Sequence, residues 1–586
     1  MSESKMPDKV APLEILGELV HDGDSVAFGG GWFANHPMAA VRELIRAGRR
    51  DIHAITVVGS VDMDLLAAAG ALGHLSFSMV TMEAFGLAPN VRKAVESGTL
   101  PFTEYTGLGL LIGLEAQGRG VPYLPYRGPF GSDIPARYPG IYATSTCPFT
   151  GEELTAVRAL QPDVAIVHAL RADAEGNAQW DGTSGPDVEM AKAARKVIVT
   201  CEEVVDRDVI VRNAHMTKLP GYYVEAVIEA PFGAHPTSHI PRYAMDAWEL
   251  MDYAGAAAAL VRRVRGAGTR RERRGLPGPG AQGTRLRAHQ PGGRRRSDRR
   301  SRGMTDYEIH ELMTCRVAAE VDEQGVTVMG SFTPLAYAAY MLAKLTHAKG
   351  AYLAGFDAVG MAPVQLSFTG AEAAAYKGAA CRWGMLTEVN SIHLANHGGV
   401  EAVSSAQFDG SGAINLSAIG PFDKPKVRLP GGAGAAEVIK MYRKMVAYFG
   451  NHNSRTLVEK VQFTTGTRWK VGAAARTEAG LQPGPVVVVT NLAVLVKDED
   501  DEPFRIESVH PGVDPQTVVE NTGFEVRVPD DVPTTAEPTA RQLDLLRNRI
   551  DPFGTVKFDF VSGKDRLAYL KGVLDAEWER ATAVAS

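Results

Sequence analysis

Residues 406–436 read AQFDGSGAINLSAIGPFDKPKVRLPGGAGAA. A short apolar run meets a polar turn, a second strand-like run follows, and Lys426 and Arg428 precede a loop that contains Gly431, Gly432 and Gly434. Glycine lets the backbone approach a ligand closely and direct its N–H groups toward it. The loop is therefore predicted to hold an anionic oxygen, such as that of a thioester or a phosphate. The alternative is an ordinary tight loop in an α/β sheet.

Strands and helices alternate in the first half of the chain. Residues 25–28 form a candidate strand that runs into Gly29, Gly30 and Gly31, and further apolar runs lie at 52–58, 163–168 and 196–200. A helix is predicted to start after Pro37, because proline is preorganised for a first helical turn. This alternation predicts a largely parallel sheet with helices on its faces. Ligands of such sheets bind beyond the carboxyl ends of the strands, where the glycine turns fall.

The second half of the chain repeats this plan. Residues 326–330 read as a strand that ends in a glycine, and Pro334 opens a predicted helix that continues to Leu345. The turn at 173–177 resembles the turn at 409–415, since each follows one apolar strand and precedes another. We interpret this as an internal duplication. The predicted fold class is α/β, with two homologous lobes, each an open, mostly parallel sheet with flanking helices, packed as a pseudo-dimer.

An arginine-rich tract separates the two halves. Between Arg262 and Arg302 there are fifteen arginines, no lysine and almost no large apolar side chain. Such a segment cannot bury a core and is predicted to be disordered. An arm that binds nucleic acid is not expected, because no aromatic residue interleaves the arginines. The expected organisation is a first domain at 1–255, a linker at 256–303 and a second domain at 304–586.

The overall composition is that of a globular protein. The chain has 586 residues, of which 45% are hydrophobic and 22% charged, and its formal net charge is −6. The four cysteines form no C-x-x-C pair and show no metal-ligand spacing, which indicates reduced thiols in a cytoplasm. The N-terminus has no apolar signal core, and no run of about 18 apolar residues occurs, so no membrane span is expected.

The order of these motifs resembles the family I CoA transferases of the glutaconate CoA-transferase type, with the α and β subunits fused. Besides 406–436, the segments that carry the resemblance lie at 28–31, 121–127, 172–178, 230–235, 488–494 and 510–513. The resemblance implies two related lobes with an active site between them, an acyl-CoA substrate and a homodimer of fused chains. No cofactor is expected beyond the CoA of the substrate, and no metal.

One expected catalytic group is missing. Transferases of this family use a glutamate that attacks the acyl-CoA thioester and then carries CoA itself. The resemblance puts that glutamate at Gly355 or Phe356, and neither residue can attack. Asp357 is the nearest carboxylate, but its side chain is one methylene shorter and it lies one or two positions away. A one-residue slip along a strand turns a side chain to the opposite face.

A subgroup that resembles this family also lacks the glutamate and opens a steroid ring in bacterial cholesterol catabolism. It uses water to cleave a cyclic β-diketone in a CoA-linked substrate. This resemblance implies that Glu104 is the base and that Arg127 steadies a developing enolate or carboxylate. Glu104 also occurs in genuine transferases, so it does not decide between the two reactions. Arg127 can instead contact a CoA phosphate or form a surface ion pair.

The remaining site predictions follow the glycine turns. The predicted substrate- and CoA-binding residues are Gly29, Gly30, Gly31, Lys426, Arg428, Gly431, Gly432 and Gly434. The loop from Gly431 to Gly434 is expected to act as an oxyanion hole. The two basic residues are expected to hold an anionic group of CoA or substrate, or else to clamp the adjoining strand. Candidate walls of the acyl pocket are Trp32, Phe33, Phe130, Phe356 and Met361, which can equally be core residues.

Three functions stay open at this point. The first is hydrolytic C–C ring opening, a retro-Claisen cleavage of a cyclic or β-oxo acyl-CoA. The second is a genuine CoA transferase with Asp357 or another displaced carboxylate as nucleophile. The third is a CoA-ester-binding protein without catalytic activity. The sequence does not identify the acyl group.

Overall fold

The computed structural model describes residues 8–254, 306–331, 333–355, 357–369, 371–384, 390, 394–563 and 565–585. The predicted linker at 256–303 and Phe356 lie outside these ranges, so the linker and the domain boundaries stay predictions. All four cysteines are free thiols. Within the described ranges, no helix is both long and apolar enough to cross a membrane.

The first lobe is built around one parallel sheet. Its strands are β1 (Ser25–Phe28), β2 (Ile52–Gly59), β3 (Leu72–Val80), β4 (Phe102–Glu104), β5 (Tyr123–Tyr126), β6 (Tyr142–Thr146), β7 (Glu153–Arg158), β8 (Val164–Ala169), β9 (Arg171–Ala172), β10 (Ala178–Gln179), β11 (Lys196–Cys201), β12 (Thr217–Leu219) and β13 (Ala226–Glu229). Its helices are α1 (Leu16–Leu19), α2 (Met38–Arg46), α3 (Val61–Ala69), α4 (Pro89–Ser97), α5 (Gly107–Gly118), α6 (Ile134–Arg137), α7 (Asp187–Ala193) and α8 (Arg207–Arg212), and residues 247–254 are also helical.

Seven strands form the main sheet in the order β13-β11-β8-β1-β2-β3-β4, and every pairing in it is parallel. Strand β8 is buried along its whole length and consists largely of valine, isoleucine and alanine. Such continuous apolar runs are typical of strands that helices cover on both faces. The parallel α/β sheet predicted for this half, and the helix after Pro37, are therefore confirmed.

The described part of the second lobe contains two main sheets, besides a three-stranded and a two-stranded one. Its strands are β14 (Val326–Val328), β15 (Tyr352–Gly355), β16 (Ala358–Val359), β17 (Cys381–Arg382), β18 (Val400–Val403), β19 (Gln407–Phe408), β20 (Ala413–Asn415), β21 (Ala418–Ile419), β22 (Val427–Arg428), β23 (Lys444–Phe449), β24 (Gly466–Thr467), β25 (Val486–Thr490), β26 (Ala493–Lys497), β27 (Phe504–Val509) and β28 (Val526–Arg527). Its helices are α9 (Ile309–Ala319), α10 (Pro334–Leu345), α11 (Ala371–Lys377), α12 (Leu394–His397), α13 (Ala435–Met441), α14 (Ala473–Glu478), α15 (Pro515–Asn521), α16 (Ala540–Leu545) and α17 (Asp565–Ala585).

The two main sheets of the second lobe run in the orders β14-β15-β16-β17 and β18-β23-β25-β26-β27-β28. Both are mixed, because β15 and β16 pair antiparallel, as do β25 and β26. Two residues separate the strands in each of these pairs, and so short a connection returns the chain antiparallel. The predicted helix from Pro334 to Leu345 is confirmed at both ends, whereas the mostly parallel arrangement holds in the first lobe and only partly in the second.

The two turns that suggested a duplication have the same construction. Strands β9 and β10 pair antiparallel around Asp173, and strands β19 and β20 do so around Asp409. One carboxylate oxygen of Asp173 accepts the N–H of Asn177 at 2.9 Å, and one of Asp409 accepts the N–H of Ser411 at 2.9 Å. An aspartate that accepts N–H groups of its own turn fixes the turn locally. The structure thus repeats one hairpin in both lobes.

The glycine loop of the second lobe lies against the end of strand β3 in the first. The Val80 N–H donates to the carbonyl of Pro430 at 2.8 Å, and the Ala433 N–H donates to the carbonyl of Ser78 at 3.2 Å. Gly431 has a φ of 100°, and a Cβ there would lie 2.4 Å from the Ser78 carbonyl oxygen. Only glycine fits so close to this carbonyl. Its presence at position 431 lets the loop come near enough to extend the sheet of the first lobe through main-chain hydrogen bonds.

A buried ion pair joins the lobes beside this loop. Arg428 Nη2 donates to Glu104 Oε2 at 2.6 Å, and the two side chains are only 3% and 0% exposed. The Ser417 hydroxyl donates to the other Glu104 oxygen at 2.7 Å. The guanidinium carbon of Arg428 lies 5.0 Å from the ring centres of both Phe77 and Phe102. Arg428 is therefore held by a carboxylate of the protein itself, on strand β4 of the first lobe.

The C-terminal helix α17 returns to the first lobe. Leu570 and Leu574 are fully buried in the apolar core that surrounds strands β1 to β3. Trp578 meets Trp248 edge to face, with ring centres 5.5 Å apart. The second lobe thus completes the core of the first, and the two halves fold as interdependent units.

Gly431→Ala is expected to lower the melting temperature by about 3 °C or more, since the added Cβ meets a carbonyl oxygen and the left-handed conformation is strained. Thermal unfolding followed by circular dichroism measures this. Gly140→Ala is the control, because a Cβ there has no atom within 4 Å. Equal losses in the two variants would contradict the close packing of the loop against strand β3.

Glu104→Gln is expected to destabilise the protein, because it leaves Arg428 buried without its counter-charge. Removing one partner of a buried ion pair costs about 3–5 kcal/mol. The double variant Glu104→Gln/Arg428→Met removes the unpaired charge and should recover part of the loss in thermal stability. A Glu104→Gln protein with wild-type melting temperature but no activity would show instead that this carboxylate acts in the chemistry.

Candidate functional site between the lobes

A cavity of about 140 Å³ lies where the two lobes meet. The first lobe contributes residues 31–34, 83–85, 183, 238 and 245, and the second contributes 329–331, 333–334, 337, 357, 366–369, 372 and 555. The segments at 31–34, 83–85, 329–331 and 357 closely follow the carboxyl ends of strands β1, β3, β14 and β15. The cavity therefore occupies the position where ligands bind in open α/β sheets.

A tight glycine turn after strand β1 forms one wall of the cavity. Gly30 has a φ of 83°, and a Cβ there would lie 2.6 Å from the backbone nitrogen of His36. The Gly30 N–H donates to Asp187 Oδ1 at 2.6 Å. Burial raises the pKa of Asp187 to about 8. The turn carries Trp32 at a φ of 54°, and its indole N–H donates to the Ser331 hydroxyl of the second lobe.

A buried histidine supports this turn from behind. His36 Nδ1 lies 2.7 Å from Asp62 Oδ2, and Nε2 lies 2.8 Å from the carbonyl oxygen of Trp32. Burial acts to lower the pKa of His36, but the Asp62 carboxylate outweighs it and the pKa is raised. Because both side chains are fully buried, this pair positions Trp32 and is not exposed to the cavity.

Glu83 enters the cavity from the first lobe, three residues beyond strand β3. Its φ is 46°, a conformation that is uncommon outside glycine. The Ser331 hydroxyl donates to Glu83 Oε1 at 3.1 Å. Burial raises the pKa of Glu83 to about 7, although the Ser331 hydrogen bond acts in the opposite direction. The carboxyl group can therefore exchange a proton near neutral pH.

Two further carboxylates enter from the second lobe. The Ser238 hydroxyl donates to Glu372 Oε2 at 2.7 Å, and burial raises the pKa of Glu372 to about 7, with the charge of Asp357 as a smaller cause. Asp357 follows strand β15 with a φ of 61°, and its Oδ2 accepts a hydrogen bond from the Thr183 hydroxyl. Each of the three carboxylates in the cavity thus accepts a hydrogen bond from a hydroxyl of the opposite lobe.

No metal-binding group is apparent in this part of the protein. Across the described ranges, no three His, Cys, Asp or Glu side chains are placed so as to hold a metal ion.

Gly355, one of the two positions expected for the transferase glutamate, has little room for a side chain. A Cβ at Gly355 would lie 2.3 Å from Met329 Cε and 3.2 Å from Met329 Cβ. A glutamate at this position would have to displace Met329. Asp357, the carboxylate nearest in sequence to the expected positions, does line the cavity.

The structure separates the predicted site residues into three groups: residues at the cavity, residues at the lobe contact and residues on the surface. Asp357 and Gly31 line the cavity, and Gly29 and Gly30 lie directly behind it. The residues of the lobe contact at strand β3 are Glu104, Arg428, Gly431, Gly432 and Gly434, and none of these is among the described residues that line the cavity. The N–H groups of Gly431 and Ala433 donate to backbone carbonyls, which removes two donors from the predicted oxyanion hole. The roles predicted for this second group stay predictions.

The two remaining basic residues are surface groups. Arg127 Nε donates to Glu152 Oε1 at 2.7 Å, and the Arg127 side chain is 42% exposed. This matches the surface ion pair that was the alternative for Arg127. Lys426 is exposed beside the glycine loop.

Of the side chains predicted to form the walls of the acyl pocket, some line the cavity and others lie elsewhere. Trp32 and Phe33 line the cavity. Phe130 stacks on Trp469 with ring centres 5.0 Å apart, and Met361 is fully buried in the core of the second lobe. Aromatic residues next to the glycine turn were therefore the better guide to the site.

Sequence reasoning did not find Glu83, Glu372 or their hydroxyl partners. A signal existed for Glu83, because it follows closely on an apolar strand and so falls at the carboxyl edge of the sheet. Glu372 and Ser238 are 134 residues apart in sequence, and no local pattern links them. Only the packing of one lobe on the other brings them together.

Both lobes are similar in sequence to known enzymes. A sequence profile of the family described as Coenzyme A transferase matches residues 13–230 and 378–521. The chain is 37% identical over 238 residues to one of the two subunits of 3-oxoadipate CoA-transferase from Pseudomonas knackmussii, covering 40% of this chain and 82% of that protein. It is also 37% identical over 146 residues to the other subunit of that enzyme, covering 25% of this chain and 56% of the second protein.

A further relative is named for a different activity, and a solved structure shares the fold. The cholesterol ring-cleaving hydrolase IpdA subunit of Rhodococcus jostii is 31% identical over 263 residues, covering 43% of this chain and 88% of that protein. The crystal structure of the acyl-CoA transferase YdiF of Escherichia coli O157:H7 covers 91% of this chain and 95% of that one with a TM-score of 0.64, and its 14% identity limits the likeness to the fold. The profile spans more than half of the chain, so this protein belongs to the coenzyme A transferase family of enzymes, with regions similar to both subunits of the 3-oxoadipate enzyme in one polypeptide.

Proposed function

We propose that this enzyme uses water to cleave a carbon–carbon bond in a cyclic or β-oxo acyl-CoA, whose acyl part binds in the interlobe cavity. One observation carries the proposal. The cavity holds two carboxyl groups with a pKa near 7, Glu83 and Glu372, while the two positions expected for the transferase nucleophile are Gly355 and Phe356, which carry no carboxylate. Hydrolysis needs a general base and a general acid, whereas CoA transfer needs a carboxylate that attacks the thioester.

The groups in the cavity suit a retro-Claisen cleavage. Ionised Glu83 takes a proton from water, and the water oxygen adds to the ketone carbon that is β to the thioester. The bond between this carbon and the α carbon then breaks, and its electron pair goes to the α carbon as an enolate. Protonated Glu372 gives its proton to that carbon. One water is consumed, and the ketone becomes a carboxylate on an acyl-CoA.

Glu83 replaces Glu104 as the base in this proposal. The carboxylate of Glu104 is bonded to Arg428 and Ser417 inside the lobe contact, so it has no free oxygen directed at a substrate. Glu83 lies in the cavity, and the hydroxyl of Ser331 orients its carboxyl group. Trp32 in turn fixes that hydroxyl through its indole N–H.

The relatives support hydrolysis without deciding it. The Rhodococcus jostii protein is named a ring-cleaving hydrolase and matches over most of its length. The 3-oxoadipate enzyme is named a CoA-transferase and matches with higher identity. Because the relatives with named activities are enzymes, the hypothesis of a non-catalytic binding protein has the least support. A homodimer of fused chains and a cytoplasmic location stay proposals by analogy with the family.

A CoA transferase is the second candidate, and the position of Asp357 favours it. This carboxylate lines the cavity directly after strand β15 and accepts a hydrogen bond from Thr183. A hydrogen bond to the charged form favours the ionised carboxylate, and ionised Asp357 can attack a thioester carbonyl. CoA would then leave as a thiolate, and the acyl group would be held on the aspartate as a mixed anhydride. The thiolate would attack the aspartyl carbonyl of this anhydride, which releases the acyl group as a carboxylate and leaves a thioester on the aspartate.

The test is the ring opening of 2-oxocyclohexanecarboxyl-CoA in water enriched in oxygen-18. Mass spectrometry should find one oxygen-18 atom in the new carboxylate of the product. Glu83→Gln should lower kcat by about 100-fold or more, the usual effect of losing a general base, whereas exposed Glu14→Gln should not change it. Because Glu83 must be ionised and Glu372 protonated, and both have a pKa of about 7, kcat/KM should peak near pH 7.

Two results would contradict this proposal. Full ring-opening activity in the Glu83→Gln protein would remove Glu83 from the chemistry. A hydroxylamine-trapped adduct on Asp357, with no oxygen-18 in any product, would assign the site to CoA transfer.

A further inference from the structure

Among the residues that the structure describes, the charged side chains that line the interlobe cavity are all carboxylates. Its described lining residues include three carboxylates and no lysine, arginine or histidine. The residues Phe332, Phe356 and Gly370 interrupt the described lining segments in the sequence, and they are uncharged residue types. The cavity therefore presents no basic group to a bound acyl chain from any of its described walls.

The hydroxyl groups that contact the two glutamates do not neutralise them. Ser331 donates to Glu83, and Ser238 donates to Glu372. A hydroxyl orients a carboxylate but contributes no charge. Burial raises the pKa values of both glutamates, and within the described part of the chain no basic residue opposes this effect at either site.

Two basic residues near the cavity are already engaged. His36, behind the Trp32 turn, is bonded to Asp62. Arg382 lies beyond the ring of Tyr376, with its guanidinium carbon 5.3 Å from the ring centre, and it pairs with Asp181 at 2.9 Å. Neither residue is among the described lining residues.

Apolar side chains form one side of the cavity, while hydroxyl groups of Thr333, Tyr337, Ser367, Thr369 and Thr555 also line it. Phe33 and Phe85 meet edge to face with ring centres 5.6 Å apart, and Met245, Leu366 and Phe368 complete this side of the cavity. Such a surface favours a hydrocarbon ring or chain, since burying apolar area is favourable. Its described lining offers a carboxylate on the acyl group hydroxyl donors but no cation, and a buried charge without a counter-charge is costly.

We infer that the cavity selects acyl groups that are neutral and apolar apart from their carbonyl oxygens, and that it rejects acyl groups that end in a carboxylate. This inference rests on the proposed function and adds to it a preference for neutral substrate over acidic product. Ring opening converts a neutral ketone into a carboxylate inside a negatively charged cavity. The negative charges that exclude acyl groups with a carboxylate therefore also promote release of the carboxylate product.

The test compares two CoA esters that differ only in this feature. Pimeloyl-CoA ends in a carboxylate, and 7-methyloctanoyl-CoA carries an isopropyl group of similar shape in its place. Isothermal titration calorimetry at pH 8, where Glu83 and Glu372 are mostly ionised, gives the two dissociation constants. We expect the wild-type protein to bind the neutral ester about 100-fold more tightly or better, the combined effect of apolar burial and like-charge repulsion.

Variants separate the charge from the apolar surface. In Glu83→Gln/Glu372→Gln the preference should fall by about tenfold or more, because one like-charge contact shifts an equilibrium by about this factor. The single variants should give intermediate ratios, and they serve if the double variant does not fold. Glu14→Gln, on the exposed surface, is the matched control and should keep the wild-type ratio.

The possible failures are distinguishable. Equal affinities for the two esters, or a preference that the glutamine variants leave unchanged, would overturn the inference and leave the proposed function standing. If the wild-type protein binds neither ester while it remains folded, the acyl-CoA site itself is wrong, and the proposed function fails with it.

Discussion

Three hydroxyl–carboxylate hydrogen bonds that cross the lobe interface define the site. They join Ser331 to Glu83, Ser238 to Glu372 and Thr183 to Asp357. In each pair the two residues come from different lobes, so neither lobe alone makes any of these three bonds. Hydrogen bonds between buried groups are strengthened by the low local dielectric, but buried acids without a cation remain unfavourable. The arrangement therefore depends on the contacts that hold the lobes together elsewhere.

Those contacts are the glycine loop on strand β3, the buried Arg428–Glu104 pair and helix α17. They are strong enough to fix three residues in unfavourable backbone conformations at the cavity. Trp32, Glu83 and Asp357 have φ angles of 54°, 46° and 61°. Strained residues of this kind persist only where the surrounding structure determines them, and they concentrate at functional sites. The geometry of the cavity thus depends on the packing of the two lobes.

Much of the fold was predictable because its signals are local. The proline that opens helix α10, the apolar run of strand β8 and the aspartate turn at Asp173 each act within a few residues. The mixed sheets of the second lobe were not predicted, because two-residue connections such as that between β25 and β26 carry no strong turn signature in the sequence.

The site was predictable only in part. Gly31, Trp32, Phe33 and Asp357 were found from the glycine turn and from family resemblance, and they line the cavity. Arg428 was read as an anion-binding residue, and it is one, but its anion is Glu104 of the other lobe. Sequence patterns show that a residue is suited to bind a charge. They do not show whether the protein supplies that charge itself.

The most direct test of this account is a crystal structure with a non-reactive analogue, cyclohexanecarboxyl-CoA in which a methylene replaces the thioester sulphur. We predict that the ring lies in the interlobe cavity against Phe33 and Phe85, with Glu83 and Glu372 facing the carbon atoms next to the carbonyl group. Electron density that places the carbonyl oxygen against the loop from Gly431 to Gly434, with Glu104 released from Arg428 toward the ring, would contradict the account.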